Sequence, residues 1–481
     1  MQVSQSAPRP LRLAQRSNPG RYNAIGTARL INCYSEQQGA DGKVDFPIVS
    51  SPGLLPWLNF TSGSCRGLFK INDDLALAVY GLDIIEIQRS GAWRVVGGIA
   101  GAAPCFFARN RRSAGTEVAI VSAGEKKVYD ATAGTVAILT DPDLPAPIGC
   151  EAITGYVLFF IADGRMFYSG INNATSIAAL SYIEAEGRPD GLVGGIVLEN
   201  NIWLFGDEST EVWGLTQDAN APFARIGGAA IEQGCIAPAS ITKVQVAGGT
   251  KVAWVANDKT VRMSADYRGE RISDHPVERA IAKLANPDEI EAFSYTKDGH
   301  VFLVLNASSF TWVYNATTTF WHEEATYGKT RRKFAFHMEF AGKTLVGDYA
   351  IPRLYEVSND VFDDDLDPLV CEVYTPQDHS YPNEIEYNTL YIDALAGSGL
   401  NVEAADQADP KIAVRWSFSN GNTWGPWRLL PTGKVGEYKK QVATYQLGTS
   451  NQNGAVFHLQ WSPAVAKAII GAAVDGSIVR A

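Results

Sequence analysis

Helix-forming sequence is scarce in this chain. Charged residues make up only 19%, while 45 glycines, 19 tyrosines and 11 tryptophans favour turns and half-buried strands. No stretch approaches about 18 uninterrupted apolar residues, and the N-terminus has no apolar signal segment, so neither a membrane span nor signal-peptide export is expected. Synthesis in a reducing cytoplasm follows, where a sequon such as Asn59-Phe60-Thr61 carries no weight. The six cysteines (Cys33, Cys65, Cys105, Cys150, Cys235 and Cys371) form no CxxC pair, which argues against zinc and for single buried thiols.

Positive charge is also short. Lys and Arg number 41 against 52 Asp and Glu, a net charge of −11. Such a chain lacks the phosphate-neutralising term that supplies most non-specific DNA affinity, so stable DNA binding is not expected, although DNA can slide past an acidic wall. What basic charge there is clusters early: Arg9, Arg12, Arg16, Arg21 and Arg29 precede the first acidic residue, Glu36. That pattern suits either a basic arm docking on a partner or a disordered terminus.

Catalytic signatures are absent as well. There is no G-x-S-x-G elbow, P-loop, H-E-x-x-H or G-x-G-x-x-G. His322-Glu323-Glu324 lacks a second histidine four residues on. Glu384 and Glu386 share one face of a strand, a spacing that suits acid–base work but is commonplace among so many carboxylates. No catalytic, metal or cofactor residue is assigned, and the chain is not expected to be an enzyme.

What the chain does have is a recurring hairpin. Seven times a β-rich run, a short polar or Gly turn and a second β-rich run follow one another. The turns fall near Gly81, Gly124, Gly164, Asp207, Asp258, Ser308 and Asp348, spaced 43, 40, 43, 51, 50 and 40 residues apart. The clearest is Val157–Ala162, Asp163-Gly164, Arg165–Ser169, where Asp-Gly supplies the positive φ of a tight turn. A beat of about 40–50 residues with several strands per unit is what β-propeller blades require, each sheet covering the next. Six or seven blades are expected. Trp203, Trp213, Trp254 and Trp312 fall within these strands, where packing between blades explains them better than a sugar platform. The best helical pattern, Pro276 to Ala285 with Val277, Ile281 and Leu284 in phase and Ser273 or Asp274 as cap, reads as a short surface insertion.

Near Val361 the beat ends. At this length two or three domains are expected. The acidic stretch from Phe362 to Pro368 reads as a solvated linker, since the glycine and closing glutamate of a calcium loop are missing. Strands at Leu369–Tyr374, Thr389–Ala394, Ile412–Phe418, Val456–Ser462 and Ala468–Val474 then suggest a sandwich-like all-β domain. The division is thus 1–60 for an N-terminal arm and first strands, 61–360 for the propeller and 361–481 for the C-terminal domain. Ser417 to Trp424 is similar to the S-x-D-x-G-x-x-W hairpin of sialidases, with Ser419 in place of Asp, and is a structural clasp.

Two groups of motifs carry a family resemblance. Ala28 to Glu36, with Asn32, Tyr34 and Glu36, is followed by Ser51-Pro52-Gly53-Leu54. Further on, Ala185 to Gly194 contains Pro189-Asp190-Gly191, and Phe205-Gly206, Glu211 and Trp213 follow. Gln233 to Ala237, Val252 to Val255 and Arg271 to Glu278 continue the similarity. Together they resemble the packaged-DNA stabilisation proteins, the tail hub or nozzle proteins of short-tailed bacteriophages, over about residues 25–55 and 184–280. The resemblance implies a virion protein made in the host cytoplasm that forms a homohexameric ring below the portal. Its implied partners are the head-to-tail adaptor, a tailspike or tail fibre, and a plug or needle. DNA would pass through the channel unbound, be retained by it, and be ejected into the host. The motif residues mark the fold and none is catalytic. The alternative is a carbohydrate-active or glycan-binding β-propeller.

Overall fold

Seven four-stranded antiparallel blades follow one another around the ring, five as separate sheets and two within larger ones, and each of the seven expected hairpins forms the middle pair of one blade. The computed structural model describes residues 7–39, 42–113, 115–185, 187–188, 190–216, 218 and 220–479. Blade 1 is Cys65–Lys70, Leu75–Tyr80, Asp83–Gln88 and Trp93–Gly98. Blades 2 to 6 span 106–138, 149–184, 192–225, 242–271 and 291–324. Blade 7 takes three strands from 334–358 and its outermost strand from Gly53–Asn59, at the other end of the propeller sequence.

Hydrophobic burial decides between six blades and seven. A separate apolar cluster fills each gap between adjacent blades, from Leu77, Val118 and Ile120 between blades 1 and 2 to Phe334, Val346 and Val304 between blades 6 and 7. The seventh, with Leu68, Tyr80, Met338 and Leu345, closes blade 7 on blade 1. Gly347 allows that closure: a Cβ there would stand 2.3 Å from Cys65 Sγ and 2.9 Å from the Tyr80 hydroxyl. The buried Arg66 also seals blade 1 to blade 2, donating to the Gly81 and Ile99 carbonyls at 2.7 and 3.0 Å and to the Ser122 hydroxyl of blade 2 at 2.8 Å. All six cysteines are buried and unpaired by disulfides.

The C-terminal part packs two sheets face to face around a core containing Val373, Leu390, Val414, Phe457, Leu459 and Val474. One sheet includes Glu384–Ala394, Val442–Thr449 and Ala468–Val479; the other includes Cys371–Tyr374, Lys411–Ser417, Arg428–Pro431 and Val456–Trp461. Sequence reading missed Arg428–Pro431 and Val442–Thr449, which lie at the sheet edges beside turn-rich loops.

The described residues among the first sixty do not form a separate arm. Arg29–Ile31 lies between the outer strand of blade 6 and Cys371–Tyr374 of the sandwich, so propeller and sandwich share one nine-stranded sheet. Cys33–Ser35 and Ile48–Ser50 join the second sandwich sheet, and Gly53–Asn59 completes blade 7. The basic arm docks on the chain itself. Arg9 forms two hydrogen bonds to Asp378, at 2.7 and 2.5 Å, Arg29 forms two to Glu323, at 2.9 and 2.6 Å, and Arg16 reaches Asp274 at 3.2 Å. Bidentate arginine–carboxylate pairs hold planar geometry that lysine would not.

Two further expectations change. The helix runs His275–Ala282, but Val277 and Ile281 are fully buried between blades 5 and 6, so it wedges the propeller rather than riding on its surface. Asp274 takes the expected N-cap position, but its side chain pairs with Arg16 instead of capping the helix, and Ser273 donates to Glu278 at 2.6 Å. The acidic stretch from Phe362 is only in part a solvated linker: Leu366, Asp367 and Pro368 are exposed, but Asp364 is buried and basic side chains from both sides pair with the stretch.

Candidate functional site

The first motif group lies where the propeller meets the sandwich. Asn32 has φ 55°, a left-handed conformation that asparagine tolerates better than most residues. Its backbone N–H donates to the Glu323 carbonyl at 2.8 Å, and its carbonyl accepts from Ser51 N–H at 2.9 Å. Its side-chain amide donates to the carbonyls of Ala325 and Val370 at 2.9 and 2.8 Å and accepts from Ala325 N–H at 2.8 Å. One buried amide thus joins blade 6, the start of the sandwich and the strand entering blade 7.

Arg332 sits beside it, fully buried. It donates to Glu324 at 2.8 Å, to Asp364 at 2.7 Å and to the Pro52 carbonyl. Burial alone would raise the Glu324 carboxyl, but the Arg332 charge, helped by His322, holds it at about 2. Burial pushes the Asp364 carboxyl up, and Arg332 offsets this only in part. Lys333 donates to the Asp364 carbonyl and the Asp367 carboxylate, and Arg353 pairs with Asp365. From the sandwich, buried Lys467 donates to the carbonyls of Phe362 and Leu369 at 3.2 and 2.9 Å. Gly53 is required here by space, since a Cβ would stand 2.4 Å from the Val361 carbonyl and 2.5 Å from that of Asp363. Tyr34 packs among His300, Phe302 and His322, and Glu36 lies 3.8 Å from His300.

The second group forms a clasp on blade 4. Asp190 accepts from the backbone N–H groups of Glu208 and Ser209 at 3.0 and 2.9 Å, capping the hairpin turn. A Cβ on Gly206 would strike that carboxylate at 2.4 Å, and one on Gly191 would meet the Ala162 carbonyl at 2.6 Å. Phe205 is buried against Trp254 of blade 5. Glu211 accepts from Gly187 N–H at 2.6 Å and from the Trp213 indole at 2.9 Å, with Arg225 at 3.4 Å. Pro189 and Glu186 of this motif lie outside the described residues. The structure does not bring the two groups together; one sits on blade 4, the other behind blades 6 and 7.

A family model described as bacteriophage P22 Gp10, β-propeller, matches residues 42–362. The chain belongs to this family. No curated protein matches it. Among solved structures, it is similar to a streptogramin B lyase (11% identity, 64% of this chain and 98% of that one, TM-score 0.43). It is also similar to YCF48 bound to D1 peptide (10%, 64% and 98%, 0.42) and to the WD40 β-propeller domain of Doa1 (10%, 64% and 97%, 0.41).

Several other residues singled out by the sequence pack within this P22 Gp10-family chain. Trp203, Trp254 and Trp312 are buried between blades, and Trp213 is partly buried there. In the clasp after Lys411–Ser417, the Ser417 hydroxyl accepts from Ser419 and Gly421 N–H groups, and Ser419 accepts from Thr423 N–H. Glu384 and Glu386 alternate with buried Ile385 and Tyr387 and so face outward. Among the described residues no group of three or more His, Cys, Asp or Glu side chains is placed to hold a metal, and no helix is long and apolar enough to cross a membrane. Sequence reading passed over Arg332, Asp364 and Lys467; their only signal was the unusual density of acids after Val361.

Proposed function

We propose that this phage structural β-propeller protein serves as the tail hub, or nozzle, of a short-tailed virion. In this reading copies of the chain form a homohexameric ring beneath the head-to-tail adaptor, hold tailspikes or fibres on the outside, and meet a plug or needle at the far end. The family match across residues 42–362 is the observation that carries it. The junction supports the same role. A wall that must contain compressed DNA cannot hinge; here a shared sheet and the Lys467 bonds tie propeller to sandwich, and buried Arg332 fixes blade 6 to the segment that follows blade 7.

The DNA passage is assigned to the space enclosed by the ring of copies. The propeller's own axis is partly spanned by Lys243 of blade 5, which reaches Glu151 of blade 3 at 3.4 Å. An acidic chain offers DNA few phosphate contacts, so retention is mechanical and ejection meets little binding. Deleting the gene tests the reading. Particles should fill and then lose their DNA and infectivity; full, infectious particles without the chain would refute it.

A further inference from the structure

The sandwich sheet that continues from blade 6 bears a groove on its outer face. Leu30, Val373, Leu459 and Val414 lie side by side in register, and all enter the sandwich core. Residues one step along each strand therefore face outward. One outward row is Arg29, Tyr374, His458 and Arg415; the next is Glu372, Gln460, Ala413 and Leu429. The groove over Gln460, Ala413 and Leu429 of the second row holds about 770 Å³, within the range of small-ligand sites. Tyr327, Trp427 and Leu429 line it while 63%, 38% and 63% exposed.

We propose that this groove binds a neutral oligosaccharide, with Trp427 as the stacking platform. Trp427 is braced from behind. The Arg415 guanidinium lies 4.3 Å from its ring centroid and the His458 ring 4.8 Å away. His458 is itself fixed: Nδ1 accepts from Arg415 Nε at 3.1 Å, and Nε2 donates to Glu372 at 2.8 Å. Acceptance at Nδ1 requires the neutral ring, and burial moves His458 in that direction. The indole therefore loses little freedom when a ligand stacks on it.

The rim selects the chemistry. Gln460 supplies both donors and acceptors, Asp409 accepts and Lys411 donates, which together match a set of hydroxyls. The charged side chains at this rim, Asp406, Asp409 and Lys411, leave one net negative charge, which repels a polyphosphate and is too small a field to draw in a strongly basic segment. The apolar side chains are interrupted by polar ones rather than joined into the stripe that a docking helix needs. This site is separate from ring assembly and stands or falls without it.

The test is calorimetry on the full chain with maltoheptaose, isomaltohexaose, cellohexaose, chitohexaose and delipidated bacterial polysaccharide. At least one should bind. Trp427→Ala should then weaken it about tenfold or more, and Trp427→Phe should restore part of the loss. Leu429→Arg, which crowds the groove from an exposed position, should also abolish binding with the melting temperature unchanged. Trp93→Ala, an exposed tryptophan on blade 1, should bind like the parent. Absence of binding to every sugar, unchanged affinity in Trp427→Ala or Leu429→Arg, or a groove that captures only peptide would overturn the proposal.

Discussion

Arg332 Nη2 donates to Asp364 Oδ1 at 2.7 Å in a pair from which water is wholly excluded. The two residues belong to different parts of the chain, one leading into blade 7 and the other following the propeller's last strand. Breaking one side of a buried pair leaves an unpaired charge in a low-dielectric interior, typically at a cost of about 3–5 kcal/mol. Arg332→Met should therefore lower unfolding free energy by roughly that amount in urea denaturation. A triple variant with Arg332, Glu324 and Asp364 all replaced by apolar residues of similar volume should recover much of it. If Arg332→Met unfolds like the parent, the network does not hold the junction.

Glu291 provides a pH test with a definite sign. It opens the inner strand of blade 6, its Oε2 is buried without a hydrogen-bond partner, and Arg331 approaches only to 3.7 Å. Burial raises its carboxyl despite Arg331. A folded value above the unfolded one means the unfolded chain ionises first as pH rises, so Glu291 contributes stability below about pH 4 and loses it as pH climbs through the folded value. Glu291→Gln should be more stable than the parent at pH 7, and the gap should close in acid. A destabilised variant at pH 7 would show that the Arg331 contact outweighs burial.

Blade closure depends on a strand from the N-terminal side. Gly53→Ala must displace the Val361 and Asp363 carbonyls, which cannot yield without moving Asp364. A cost of about 1–3 kcal/mol is expected, as for other overpacked sites. Limited proteolysis should cut near residues 359–367 faster than in the parent. An unchanged cleavage pattern would mean that the first strand closes the ring without this close approach.

Asn32 links three segments through one amide. Asn32→Asp keeps the left-handed backbone but replaces two donated hydrogen bonds with repulsion between a carboxylate and the carbonyls of Ala325 and Val370. Asn32→Gly keeps the backbone and loses the side chain. Both should destabilise, Asn32→Asp more at pH 7, with a loss of about 2 kcal/mol or more by chemical denaturation.

The ring was legible in the sequence because each blade carries its own tight central hairpin. Gly81, Gly124 and Gly164 do adopt the positive φ that their turns require, and that need is local. The partners of the acidic stretch were not local. Phe362 to Pro368 reads as solvated because its neighbours in sequence are acids, whereas its cations are Arg332, Lys333, Arg353 and Lys467. The same limit applies to Arg9 and Arg29, whose carboxylates lie at Asp378 and Glu323. The motif residues were visible as a resemblance, but their work became clear only with Asp190 seen on its turn and Asn32 at its junction.

Electron cryomicroscopy of the intact particle tests the central claim most directly. The account predicts seven-bladed propellers arranged as a ring about the tail axis below the head, each continuous with its sandwich through the strand at Arg29–Ile31. Purified infectious particles that lack the chain, or that carry it away from the tail axis, would contradict it.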